Sequence, residues 1–277
     1  MFKVQWYPGH MTRAKRKIQD VIKTIDIIIE LRDARIPMSS GNPDISKMAF
    51  DKGHLIILTK PDLADKIVTE KWLEAFKENN LNVITVKGTD TQDVKKIIKH
   101  LEIIADNVFE KRRKKGLLDR PIRCMVLGVS NVGKSSMINS LALKKVAVTG
   151  NKPGVTKGNQ WVRISKKLEL LDTPGILWPK FDDLVGINLA LTGAISDKVF
   201  DLVEATCYLI KELNNKHYLV TDQEPYEELK SFGLKRGILL KGGTVDLEKS
   251  AILFLKDYRS GKMGRITLEW PKKYDKE

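Results

Sequence analysis

The stretch "GVSNVGKSS", Gly128 to Ser136, decides the fold. Gly128 and Gly133, followed by Lys134 and Ser135, fit the phosphate-loop pattern, placed between the apolar run "IRCMVLGV" (122–129) and a helical pattern that begins at Lys134. Glycines let consecutive backbone N–H groups curl around a β-phosphate, and the helix N-terminus adds its dipole. Lys134 is expected to neutralise β- and γ-phosphate oxygens and Ser135 to ligate Mg²⁺, with Ser130, Asn131, Val132 and Ser136 completing the cradle.

Downstream, Asp172-Thr173-Pro174-Gly175 closes another apolar run, "LELL". Asp172 is expected to hold Mg²⁺ through water, and the Gly175 N–H to bond the γ-phosphate only while that phosphate is present, which makes a switch. Between the two, "PGVT" supplies Thr156, whose hydroxyl and carbonyl suit Mg²⁺ and the γ-phosphate. A guanine-reading Asn-Lys-x-Asp motif would come next in an ordinary nucleotide switch, and the chain after Gly175 has none. Upstream, Thr59-Lys60-Pro61-Asp62 follows the buried run "HLIILT", and "VKG" (Val86, Lys87, Gly88) ends "NVITV", where a backbone contact to guanine O6 belongs. Asp62 would accept from guanine N1–H and N2–H₂, which adenine does not present in that way. The motif order is therefore circularly permuted. Thr59 stands where Asn is usual and offers one hydroxyl in place of a two-sided amide, so weaker nucleotide affinity is expected.

Around these motifs the pattern alternates. "DIIIEL", "HLIILT" (54–59), "NVITV" (82–86) and "IRCMVLGV" read as buried strands, with helices around 66–78, around 92–105 and from Lys134, and an earlier helix capped by Thr12. Such alternation predicts an α/β fold: a doubly wound, mostly parallel sheet. "QWVRI" and "LELL" add two shorter strands. Beyond Pro179 the periodicity becomes helical, through Val199, Leu202, Val203, Thr206, Leu209, Ile210 and Leu213, then Leu247, Ala251, Leu255 and Tyr258 up to Gly261. The expected domains are a GTPase domain over 1–178 and a smaller all-helical domain over 179–277. "LLKGG" reads as a turn, since no Lys-Ser or Lys-Thr follows its glycines.

The 277 residues carry a net charge of +14, all of it within 1–179, where 33 Lys or Arg face 19 Asp or Glu. The remainder balances but is polarised: 180–229 holds 4 basic and 10 acidic residues, 230–265 holds 9 and 3. With "RAKRK" (13–17) and "KRRKK" (111–115), the distribution indicates a polyanion touched on several faces, nucleic acid being the usual one, against a plain solvated helix surface or charged linker. Lys235, Arg236, Lys241, Lys256, Arg259, Lys262 and Arg265 are the candidate RNA contacts. Apolar runs shorter than a membrane span and no signal pattern predict a cytoplasmic protein without a membrane. Only Cys124 and Cys207 occur, which fits a reducing compartment and neither a disulfide nor a zinc framework.

Taken together, "WYPGHM", "DARIP", "NVGKSS", "GNKPGVTKGNQW", "LLDTPGILWPK" and "GRITLE" resemble the circularly permuted GTPases of the ribosome biogenesis GTPase A family, from Gln5 to about Glu269. The resemblance implies GTP and GDP as ligands with Mg²⁺, a helical RNA-binding domain, monomeric action, and late assembly of the large (50S) ribosomal subunit and its rRNA. Ile176 occupies the position where other GTPases orient water with Gln, so a low intrinsic rate is expected. The resemblance offers two compensations: Asn131 as a ligand for a K⁺ bridging the phosphates, and His10 swinging toward the γ-phosphate to position water. Rival readings are a non-ribosomal RNA-binding module with GTP as a structural ligand, and a membrane-associated switch.

Overall fold

The computed structural model describes residues 21–87, 90–118, 120–142, 160–172 and 182–272. Among the described residues six strands form one sheet: β1 (Ile27–Asp33), β2 (Gly53–Thr59), β3 (Val83–Val86), β4 (Ile122–Gly128), β5 (Gln160–Arg163) and β6 (Leu168–Asp172). The order across the sheet is β3-β2-β1-β4-β6-β5, with every pair parallel except the antiparallel edge pair β5/β6.

The apolar runs become the central strands because both faces are covered. β1 is buried along its whole length, as a parallel strand sandwiched by helices must be. On one face Ile27, Ile29, Leu55, Ile57, Cys124 and Val126 pack with α3 (Thr91–Lys114) and α4 (Lys134–Leu141). On the other, Ile28, Met125 and Leu127 meet Ile45 of α1 (Pro43–Met48), while Ile56, Leu58 and Val83 meet Val68, Trp72 and Phe76 of α2 (Lys66–Glu78). This is the doubly wound layering the alternation predicts.

α3 runs on to Lys114 rather than stopping near residue 105, so "KRRKK" is its last turn and cap, not a linker. Basic residues there offset the partial negative charge of the helix C-terminus. Beyond Asp182 the described elements are helical: α5 (Asp183–Leu191), a 3₁₀ turn (Asp197–Val199), α6 (Leu202–Asn215), α7 (Pro225–Lys235) and α8 (Leu247–Arg259). Their apolar faces join the α3/α4 side of the sheet in one continuous core. "LLKGG" is a turn, closed by a bridge between Leu239 and Val245. No helix among the described residues is long and apolar enough to cross a membrane.

β1 carries charges that its apolar pattern hides. Glu30 is buried at mid-strand, where the Arg32 guanidinium pairs with it through two bonds of 3.0 Å, His54 Nε2 lies 3.0 Å away and the Asn42 N–H donates at 3.2 Å. Burial alone would raise this carboxyl, yet His54 and Arg32 bring it below its ordinary value.

Candidate functional site

In a parallel sheet all the carboxyl ends share one edge, and ligands bind there where the strand order reverses. The pairings Asp33–Thr59, Thr59–Val86 and Leu31–Gly128 put the base-reading loop, the "VKG" end and the phosphate loop at that edge, with β1 between β2 and β4. Asp172 closes β6, the other neighbour of β4. Permutation thus leaves Thr59–Asp62, the end of β3 and the phosphate loop at one edge of the sheet.

The phosphate loop is bent by three unusual backbone positions: Gly128 at φ 158°, Asn131 at 57° and Gly133 at 105°. A side chain at Gly128 would meet the Leu31 carbonyl at 2.7 Å, so close approach to β1 demands glycine there. Gly133 caps α4 in the left-handed region, and Lys134, nearly buried, donates to the carbonyls of Gly128 (3.1 Å) and Val129 (2.6 Å). Ser130, Ser135 and Ser136 stand at the partly to fully exposed lip of the loop, and Val132 packs beneath it.

Thr59 is buried, and its hydroxyl reaches the Val132 carbonyl at 2.8 Å, with the Arg32 carbonyl at 3.2 Å. The single O–H therefore still ties the base-reading strand to the phosphate loop. Lys60 holds a left-handed backbone (φ 55°) and its ammonium pairs with Asp33 at 2.9 Å. Asp62 is exposed at the edge. In "VKG", where the sequence suggests a backbone contact to guanine O6, the Lys87 N–H donates to the Asp93 carboxylate at 2.7 Å, and Gly88 lies outside the described residues.

Sequence motifs alone gave Asp33 and Arg35 of "DARIP" no role; the structure gives them one. Arg35 grips Asp33 through Nε (2.9 Å) and Nη2 (2.8 Å), and its own N–H adds a third bond at 3.0 Å. Burial alone would raise the Asp33 carboxyl, yet Arg35 and Lys60 hold it well below the usual carboxylate range. Arg35 also stacks over Tyr258 of α8, 5.5 Å from the ring centroid, and reaches the Thr192 carbonyl at 3.4 Å. In the sequence they stood out only as part of "DARIP", an acid and an arginine two residues apart beyond an apolar run.

Four successive carbonyls at the end of α5 are met by side chains. Arg259 donates to Ala190 (2.8 Å) and Leu191 (3.0 Å), Arg35 to Thr192, and the Asn131 amide to Gly193 at 2.8 Å. A helix C-terminus leaves such acceptors unpaired, and cations are favoured there. Asn131 thereby ties the phosphate loop to the helix that follows the second switch segment, while its amide oxygen is the atom a cation would take.

The "GRITLE" segment docks on the same edge. The Ile266 N–H donates to Leu63 and the Leu268 N–H to Arg35, while Thr267 accepts from the Asp65 N–H. The Glu269 carboxylate accepts from the N–H groups of Met38 and Ser39, the Ser39 hydroxyl and the Asn188 amide. The loop after β2 is thus braced from behind by the "GRITLE" segment.

Of the candidate RNA contacts, Arg259 is turned inward, with Asp197 at 2.7 Å, and Arg236 and Lys262 both pair with Asp257, at 2.7 and 3.5 Å. Lys235, Lys241, Lys256 and Arg265 are exposed. His10, Thr156 and Gly175 lie outside the described residues. Among the described residues no three His, Cys, Asp or Glu side chains gather to hold a metal. A Mg²⁺ here would be one shared with nucleotide phosphates, its usual mode; β4, which leads into the phosphate loop, and β6, which ends at Asp172, are neighbouring parallel strands.

Residues 123–236 match the model of the 50S ribosome-binding GTPase family. The match begins in the strand before the phosphate loop and omits Thr59–Asp62, as permutation requires. Ribosome biogenesis GTPase A of Bacillus cereus is 41% identical, over 99% of this chain and 96% of its own. The crystal structure of GNP-bound YlqF from T. maritima superposes with a TM-score of 0.73 at 30% identity, covering 94% of this chain and 99% of that one. A GDP-bound structure of YlqF gives 0.72 at 29% identity, covering 93% and 100%.

Proposed function

The chain belongs to the ribosome biogenesis GTPase A family, and we propose that it acts as a GTP-dependent assembly factor for the large ribosomal subunit. It is a GTP-hydrolysing enzyme of ribosome biogenesis. The large-subunit reading is supported by the match to the 50S ribosome-binding GTPase model, and the guanine-nucleotide site by the convergence of Thr59–Asp62 and Gly128–Ser136 at one sheet edge, joined by the Thr59 to Val132 bond.

In this reading Asp62 selects guanine, Thr59 and the Asp33–Lys60 pair fix the base-reading loop, and Lys87 and Gly88 flank the base. Backbone N–H groups from Ser130 to Ser136 and the Lys134 ammonium take the phosphates. Mg²⁺, held by Ser135 and Asp172 with Thr156, would neutralise charge on the β and γ oxygens. Thr156 and the Gly175 N–H respond to the γ-phosphate, and His10 positions the attacking water when the particle is bound. Asn131 presents its amide oxygen to K⁺, oriented by the bond its nitrogen donates to Gly193.

The organisation is a GTPase domain over 1–178 and a helical RNA-binding domain over 179–277, working as a monomer in the cytoplasm. Lys235, Lys241, Lys256 and Arg265 contact rRNA phosphates directly, and Arg236, Lys262 and Arg259 shape that surface through Asp257 and Asp197. GTP orders the switches, the particle binds, and hydrolysis releases the protein. Sedimentation with purified subunits tests this: co-migration with large subunits is expected with a non-hydrolysable GTP analogue and not with GDP. Equal co-migration in both states, or a preference for small subunits, overturns it.

A further inference from the structure

At the end of the sheet away from the nucleotide edge, where β4 and β6 begin, lies an open groove of about 670 Å³. α3 forms one wall with Arg113, Asp106 and Glu110; the turn between β5 and β6 forms the other with Arg163, Lys166 and Lys167; Arg120 and Pro121 close it and Phe109 lies along it. We propose that this groove is a second RNA-binding surface, taking the phosphodiester backbone of rRNA independently of the helical domain. The inference rests on the ribosomal reading above and adds a site to it.

Five basic side chains face two carboxylates in the groove, and the last turn of α3, Lys111 to Lys114, extends the positive surface beyond it. Structural needs account for part of this charge only. Arg112 and Arg120 are committed to Asp26, at 3.4 and 2.8 Å, which also accepts the Arg123 N–H. Arg163, Lys166 and Lys167 are exposed. Among the described residues the guanidinium of Arg163 makes long bonds, 3.4 Å, to carbonyls of the turn that follows it, and Lys167 meets Asp106 at 3.5 Å with both side chains more than half exposed. Exposed pairs of that kind contribute little, so a phosphate can replace the carboxylate. Charges on two walls can bracket one sugar-phosphate strand from both sides, and such contacts set position without reading sequence.

The test compares full-length R163A/K166A/K167A with K235A/K241A/K256A/R265A. Binding is measured to purified large subunits and to the same rRNA freed of protein, across salt concentrations. Loss of the groove cations should weaken both complexes about tenfold or more near physiological salt. It should also make the slope of log K against log salt shallower by about 2, since each phosphate contact contributes about 0.7 to 0.9. Melting temperature and GDP affinity should stay unchanged, and R163K/K166R/K167R should restore binding. Unchanged affinity and slope in the groove variant, with loss confined to the helical-domain variant, overturns the inference and leaves the ribosomal reading standing. Loss on intact subunits without loss on bare rRNA assigns the groove to a ribosomal protein and overturns it too. Failure of the parent protein to bind subunits removes the ribosomal reading, and this inference with it.

Discussion

Asp33→Asn is the perturbation that most tests the bracing of the nucleotide edge. The Asp33 carboxylate is buried and takes two bonds from the Arg35 side chain and one from Lys60, all between 2.8 and 2.9 Å. An amide cannot accept from all three, and the buried Arg35 guanidinium would be left without its counter-charge. Breaking one partner of a buried pair costs about 3 to 5 kcal/mol. At roughly 2 to 4 °C per kcal/mol for a chain of this size, the melting temperature should fall by about 6 to 20 °C. Arg35→Met should be milder, because Asp33 retains Lys60. Combining the two removes charge and counter-charge together, so the double variant should be more stable than additivity predicts by at least about 2 kcal/mol. Chemical denaturation of the four proteins, with GDP affinity measured in parallel, gives the coupling. Additive losses within about 0.5 kcal/mol, with nucleotide affinity untouched, would refute the idea that this pair joins the base-reading loop to the helical domain.

Thr59→Val keeps shape and removes the hydroxyl that bonds Val132, leaving a buried carbonyl without that donor; nucleotide binding should weaken about 5- to 30-fold, from roughly 1 to 2 kcal/mol, read by titration with a fluorescent GDP analogue. The proposed K⁺ site predicts faster turnover in K⁺ than in Na⁺, measured in matched chloride buffers, and loss of that difference in Asn131→Ala; an unchanged K⁺ activation curve in the variant would remove Asn131 from that role. Stability should fall as pH drops below about 4, because Asp33 and Glu30 hold lowered values in the folded chain and the unfolded carboxyls take up their protons first. In D33N that acid limb should be shallower, which denaturant melts between about pH 2 and 6 would reveal.

Much of the fold was legible because a fully covered parallel strand reads as an apolar run, as Ile27 to Ile29 and Leu55 to Leu58 do. α5 escaped notice for the same reason in reverse: "DLVGINLAL" is apolar nearly all round, buried from Gly186 to Leu191, and so has no periodic face. α1 is a six-residue helix and too short to show one. The phosphate and base motifs were readable because close backbone approach and guanine recognition restrict residue choice at fixed spacing. The bracing was not. Glu30 finds His54 on the next strand, Arg35 finds Thr192 and Tyr258, and Glu269 finds Met38 and Ser39, all pairings made by topology across long sequence separations. Charge composition likewise overcounted the helical-domain surface, since it cannot tell Lys235, which faces solvent, from Arg259, which caps α5.

The most direct test of the central claim is GTP turnover in potassium buffer, measured with and without purified large ribosomal subunits. A strong stimulation by large subunits, absent with small subunits and lost in H10A, is the predicted result. Equal turnover with and without them, or better stimulation by small subunits or free RNA, would contradict the assignment to large-subunit assembly.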